Sequence, residues 1–171
     1  MSTIRYTPAA PATVKPAVAT YLASRGAEWC DYASCGAKPK YRDTPAAVVP
    51  LAGWAETIGA LRSAHGFDFL VDHTAVDYPD RDPRFTVVAV LESLATHELL
   101  ILKCRVAEGR PVPTLAHLFK SADWAERETY DMFGIPFEGH PDLTRIYMPE
   151  DYEGWPARRD FPMEGHLKFR D

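Results

Sequence analysis

The chain has 171 residues, 46% of them hydrophobic, and a net charge of −5 at pH 7, which suits one domain with its own core rather than two. The acidic balance disfavours a nucleic-acid binder, which usually carries a basic field. No apolar run approaches the ~20 residues that cross a bilayer, and the opening MSTIRYTPAAPATVKPAV lacks the basic-then-apolar layout of a signal peptide. The expected location is therefore cytoplasmic, with membrane contact only through partners.

Residues 1–12, rich in Ala, Pro and Thr, read as a flexible N-terminal arm. An Ala-rich stretch at 15–25 predicts a short helix ending at Gly26, and 34–46 carries turn chemistry. Within 52–65, Trp54, Ile58, Leu61 and His65 fall on one helical stripe that Gly66 closes. FDFLVDHTAVDY (67–78) alternates as a strand, with Phe67, Phe69, Val71 and His73 on one side and Asp68, Leu70 and Asp72 on the other. RFTVVAVLESL (84–94) and ELLILKCRV (98–106) predict two more strands, the second with Leu100, Leu102, Cys104 and Val106 on one face. Their short links favour an antiparallel meander, and AAVVPL (46–51) adds a further strand.

VPTLAHLF (112–119) predicts a helix behind Pro113, and the helix after it starts on a capping box of Asp123 and Glu126. From Ile135 onward, Pro136, Pro141, Pro149, Pro156 and Pro162 recur too often for a long regular element. Aromatic residues run through this tail, whereas disordered tails are poor in them, so it is expected to lie along its own domain or a neighbour. The predicted fold class is α+β. Residues 13–135 form a mainly antiparallel sheet with helices packed on one side, followed by an extended Pro-rich C-terminal arm over 136–171.

Little in the chain points to chemistry of its own. Cys30, Cys35 and Cys104 are too few and too irregularly spaced for a zinc ribbon or a cysteine-ligated cluster. Cys30 and Cys35 could close a disulfide, though reduced thiols are the rule in a cytosolic chain. HExxH, Gly-rich phosphate loops and GxSxG are absent. Asp68, Asp72, Asp77, Asp80 and Asp82 lack calcium-loop spacing and read as a polar sheet edge with its turn.

The run ERETYDMFG (126–134) mixes charges with aromatics. On a helical wheel Glu128 sits among Trp124, Ala125 and Met132, while Arg127 and Asp131 are i,i+4 neighbours. If that cluster faces inward, Glu128 is buried and needs a cation from elsewhere, which Arg145, Arg158 or Arg159 of the tail would supply. Three readings stand side by side. The helix presents a solvated face; or Glu128 and Asp131 act as acid and base with His140 as orienter; or the charges latch a docking element. The third predicts that Glu128→Ala does more harm than Glu126→Ala.

Residues 122–162 resemble the signature region of the 30 kDa (C-type) subunit family of proton-pumping NADH:quinone oxidoreductase, respiratory complex I. The residues carrying the resemblance are Glu126-Arg127-Glu128, Asp131, Met132-Phe133, Gly134, the Gly139-His140-Pro141-Asp142-Leu143 segment, Arg145, and the run from Pro156 to Pro162 with Arg158, Arg159, Asp160 and Phe161. It extends over roughly 50–162. Thr144, Trp155, Ala157 and Arg159 depart from the usual family residues, which leaves the electron donor open. The resemblance implies a non-catalytic peripheral-arm subunit with no cofactor of its own. Its partners would be the hydrogenase-like large subunit, the terminal iron–sulfur cluster subunit and other peripheral-arm subunits, on the cytoplasmic side of the inner membrane. FMN and iron–sulfur clusters would belong to those other subunits. A membrane-bound [NiFe]-hydrogenase-type or ferredoxin-dependent complex is the alternative setting, and a stand-alone small enzyme using Glu128, Asp131 and His140 is the other.

Overall fold

A computed structural model describes residues 5–7, 9–31 and 44–162. Most of the connection at 34–46, Cys35 included, lies outside the described residues, as do arm positions 163–171.

The fold is α+β, built on a six-stranded, mostly antiparallel sheet. In chain order the elements are β1 (Arg5–Thr7), α1 (Pro16–Ser24), β2 (Glu28–Asp31), β3 (Ala46–Val48), a single 3₁₀ turn (Leu51–Gly53), α2 (Trp54–His65), β4 (Phe69–Asp77), β5 (Phe85–Ser93), β6 (Glu98–Val106), β7 (Val112–Pro113), α3 (Lys120–Phe133) and β8 (Phe137–Glu138). Strand order is β1-β2-β3-β6-β5-β4, and only β3 and β6 pair in parallel within this sheet. A separate parallel pair joins β7 to β8.

One core lies between the sheet and the helices. From α2 it takes Trp54, Ile58 and Leu61, each fully buried on the stripe the sequence predicts. Burying each contributes roughly 1.5–3 kcal/mol. His65 is half-buried, and Gly66 at φ 76° ends the helix in the left-handed region. β5 and β6 present Phe85, Val87, Ala89 and Leu91, and Leu100, Leu102, Cys104 and Val106, to the same core, as alternation requires.

The structure corrects three sequence expectations. The N-terminal stretch read as a flexible arm includes a strand, β1, paired antiparallel with β2. In β4, a register shift between Leu70 and Asp72 breaks the alternation. Leu70, His73, Ala75 and Asp77 are buried, while Phe69 and Val71 face outward. One inserted residue swaps the faces of every side chain before it. Finally, 112–119 forms no helix. The Val112 and Thr114 N–H groups donate to Pro136 and Glu138 across the β7–β8 pair, and Thr114 Oγ1 accepts from the Ala116 N–H. A side-chain hydroxyl that satisfies its own downstream backbone competes with a helical turn.

Candidate functional site

α3 is the polar helix on which the candidate residues sit, and it packs along β4. It starts at Lys120 behind Phe119 with no side-chain cap, one turn ahead of the expected capping box. Its buried positions are Ala122, Glu126, Thr129 and Asp131, whereas Trp124 is 63% exposed. The wheel is therefore rotated from the sequence expectation: Glu126 is fully buried and Glu128 is exposed. The physical reason is that the surrounding segments offer donors, so the helix spends its inward face on acceptors rather than on its large apolar groups.

Glu126 is held by two elements at once. Its Oε2 accepts from the Thr114 hydroxyl at 2.5 Å and its Oε1 from the Leu115 N–H at 2.6 Å. Two imidazoles face it: His73 Nδ1 lies 3.7 Å from Oε1 and His140 Nε2 lies 4.0 Å from Oε2. Burial pushes its carboxyl up to about 7, against the opposing pull of the Thr114 and Leu115 hydrogen bonds, with Asp123 adding to the rise. The expected arginine partners of the buried glutamate go elsewhere.

Arg145 goes to Asp131, which is also fully buried. Asp131 Oδ1 accepts from Arg145 Nη1 at 2.8 Å, and its Oδ2 accepts from the N–H groups of Ile146, Tyr147 and Met148 at 3.0, 2.7 and 3.0 Å. Burial alone would raise this carboxyl, but the three N–H donors and Arg145 together hold it below its ordinary value. Arg145 further binds the carbonyls of Tyr152 and Gly154. Arg127 does not pair with Asp131 as i,i+4 spacing suggests; it binds Thr144 O and Oγ1 and lies over the Trp124 ring.

The end of α3 forms a second contact with the arm. Gly134 adopts φ 72° against the Trp155 ring, Arg158 Nε donates to the Phe133 carbonyl at 2.7 Å, and the Ala157 N–H donates to Met132 O. Arg158 also pairs with Glu108. A third contact, which sequence reasoning missed, centres on Asp77 of β4. Arg84 binds both its oxygens at 2.7 and 3.0 Å and reaches Asp160 and Glu108, while the Arg159 N–H donates to Asp77 Oδ2. The Asp77 carboxyl is lowered, first by Arg84. Phe161 stacks with Tyr152, and Pro162 is the last described residue of the arm and exposed. His140 is enclosed, receiving the Asp142 N–H on Nδ1 and meeting Asp123 O at 3.1 Å, next to exposed Pro141. Residues 139–162 thus lie on their own domain through three clasps, with neither helix nor strand.

These positions reorder the expected effects of substitution. Glu126→Ala is expected to lower stability by roughly 2–4 kcal/mol, because it strands the buried Thr114 and Leu115 donors beside a cavity. Glu128→Ala should leave the urea midpoint where it was. Equal midpoints for the two variants would contradict this placement.

Residues 47–167 match the family model described as respiratory-chain NADH dehydrogenase, 30 Kd subunit. The second C-type subunit of NADH-quinone oxidoreductase from Rhizobium meliloti is 50% identical over 100 residues, covering 58% of this chain and 55% of that protein. The corresponding NADH-quinone oxidoreductase protein of Citrifermentans bemidjiense is 41% identical over 127 residues, covering 74% and 79%. The chain spans about half the length of the first of these relatives. Among solved structures, a chain of the membrane-bound sulfane sulfur reductase, an archaeal respiratory membrane complex, shares the fold with a TM-score of 0.69 at 23% identity, covering 86% of this chain and 85% of that one.

Proposed function

This chain belongs to the 30 kDa subunit family of respiratory-chain NADH dehydrogenase, and we propose that it serves as a non-catalytic peripheral-arm subunit of a proton-translocating NADH:quinone oxidoreductase. In this reading it scaffolds the quinone-reducing module while electrons pass from NADH through iron–sulfur clusters to quinone in other subunits, which also hold the FMN. Its partners are a hydrogenase-like large subunit, the terminal cluster subunit and further peripheral-arm subunits, on the cytoplasmic face of the inner membrane. No helix among the described residues is long and apolar enough to cross a membrane, which fits contact through partners.

The observation that supports a scaffold over a stand-alone enzyme is the state of Asp131. A general base needs a free lone pair within reach of substrate. Asp131 is enclosed by its own arm and engaged by four donors, and Glu128 faces solvent rather than Asp131. What α3 and the arm leave outward is a surface: Trp124, Glu128 and Tyr147, the last 61% exposed. Aromatic rings of this kind anchor protein interfaces.

The test is affinity capture of the chain from detergent-solubilised membranes, with mass spectrometry of co-purifying proteins. A large hydrogenase-like subunit together with a flavin-binding, NADH-oxidising subunit is expected. A nickel-site hydrogenase subunit in their place would overturn the quinone reading, and turnover by the purified chain alone would overturn the scaffold.

A further inference from the structure

His73 is the one side chain described whose imidazole leaves both ring nitrogens buried without a hydrogen-bond partner. The ring is fully enclosed, stacked near Trp54 and edge-on to Phe137. Buried polar atoms almost always find partners, and Glu126 Oε1 lies 3.7 Å from His73 Nδ1. That oxygen already receives the Leu115 N–H and retains a second lone pair.

We propose that His73 and Glu126 form an enclosed proton-binding site that holds one shared proton, exchanged with solvent, at the joint between β4, α3 and the turn after β7. Charge counting supports a single proton. With none, the chamber holds an uncompensated carboxylate; with two, it holds an uncompensated imidazolium; with one, it is neutral overall whichever group carries it. An unpaired buried charge is costly, a neutral pair far less so. The contrast with Asp131 is direct, since that carboxylate has Arg145 for a countercharge.

The titratable groups facing Glu126 are Asp123 from α3 itself, His73 from β4 and His140 from the start of the arm. The His140 ring has closer partners than Glu126: Nδ1 meets the Asp142 N–H at 3.1 Å, and Nε2 lies 3.1 Å from the Asp123 carbonyl and 3.3 Å from the Asp123 carboxylate. Thr114 and Leu115 donate to the same carboxyl, so loss of the shared proton would place a bare charge at the contact that seats the 114–119 turn on α3.

The pH dependence of stability tests the one-proton count, and titration of the two resonances tests whether the groups share that proton. Burial raises Glu126 from 4.5 to about 7 and lowers His73 from 6.5 to about 3. Between pH 4.5 and 6.5 the unfolded chain carries one proton, on the imidazole, and the folded pair also carries one, so the pair adds no slope to stability there. Removing either member exposes the other. Glu126→Gln leaves a depressed imidazole, so stability relative to wild type should fall as pH drops through this window. His73→Gln leaves a raised carboxyl, so relative stability should fall as pH rises through it.

The experiment is thermal unfolding of the full chain and both variants across that window. Opposite slopes relative to wild type are expected; parallel or flat differences would overturn the proposal. A second measurement needs no variant: carbon NMR of the Glu126 carboxyl and nitrogen NMR of the His73 ring in the wild-type chain. One common step near neutral pH at both nuclei is expected. A Glu126 carboxyl already ionised at pH 6, with His73 unresponsive, would sink the idea even if a variant failed to fold.

Discussion

Asp131→Ala is expected to detach the arm from α3 and to lower stability by roughly 3–5 kcal/mol, the usual cost of breaking a buried charged pair from one side. The loss has two parts. Arg145 keeps its contacts to the Tyr152 and Gly154 carbonyls but loses its countercharge, and the Ile146, Tyr147 and Met148 N–H groups lose their common acceptor. Those donors are half-buried or near solvent, so water recovers some of that energy, and the figure is an upper range. Urea unfolding gives the magnitude, and limited proteolysis gives the location: new cuts should appear within 145–160 before the core opens. Asp131→Asn should be intermediate, since its amide oxygen still accepts but carries no charge for Arg145. The pH dependence has a definite sign. The folded carboxyl lies below its ordinary 3.8, so its contribution is present above that value and is lost as pH falls through the folded one. The wild-type arm should therefore become protease-sensitive in acid, and the variant's sensitivity should change less over that range, because only the Asp77 clasp is left to titrate. Cleavage that starts in the core, with the arm intact in Asp131→Ala, would show that this clasp does not hold it.

The sequence was most legible where one period ruled a whole element. α2 and β6 follow their patterns because apolar burial alone decides their orientation. β4 failed at the bulge, since the extra residue that turns Leu70 inward and Phe69 and Val71 outward leaves no mark in residue type. α3 failed for a different reason. Wheel reasoning ranks faces by hydrophobicity, yet its inward face is chosen by donors 11 to 17 residues away in sequence, Thr114 and Leu115 on one side and residues 145–148 on the other. Charge balance did foretell that a buried carboxylate on this helix would find an arginine on the arm; it named Glu128 where the structure has Asp131. Glu126 needed no arginine because a hydroxyl, an N–H and an imidazole meet it instead. His73 and Asp77, four residues apart on one strand, could have been flagged as polar residues on a buried face had the register been known.

Gly134→Ala should then be the most damaging single-methyl change in the arm's seat. Two costs coincide at this position. A side chain at φ 72° carries roughly 1–2 kcal/mol of left-handed strain, and a Cβ built there would overlap Cε2, Cδ2 and Nε1 of Trp155. Overpacking of this kind adds roughly 1–3 kcal/mol. The indole cannot slide away freely, because Tyr130 meets it edge-on and the Arg145 guanidinium sits 4.4 Å from its centroid. Gly109 supplies the control: its φ is 74°, but nothing lies within 4 Å of a Cβ there, so Gly109→Ala should register strain alone. The excess of Gly134→Ala over Gly109→Ala measures the Trp155 contact, and a double-mutant cycle with Trp155→Ala should abolish that excess. If the two glycine variants unfold at the same urea concentration, Trp155 does not rest on the end of α3, and the arm's path after Arg145 would have to be redrawn.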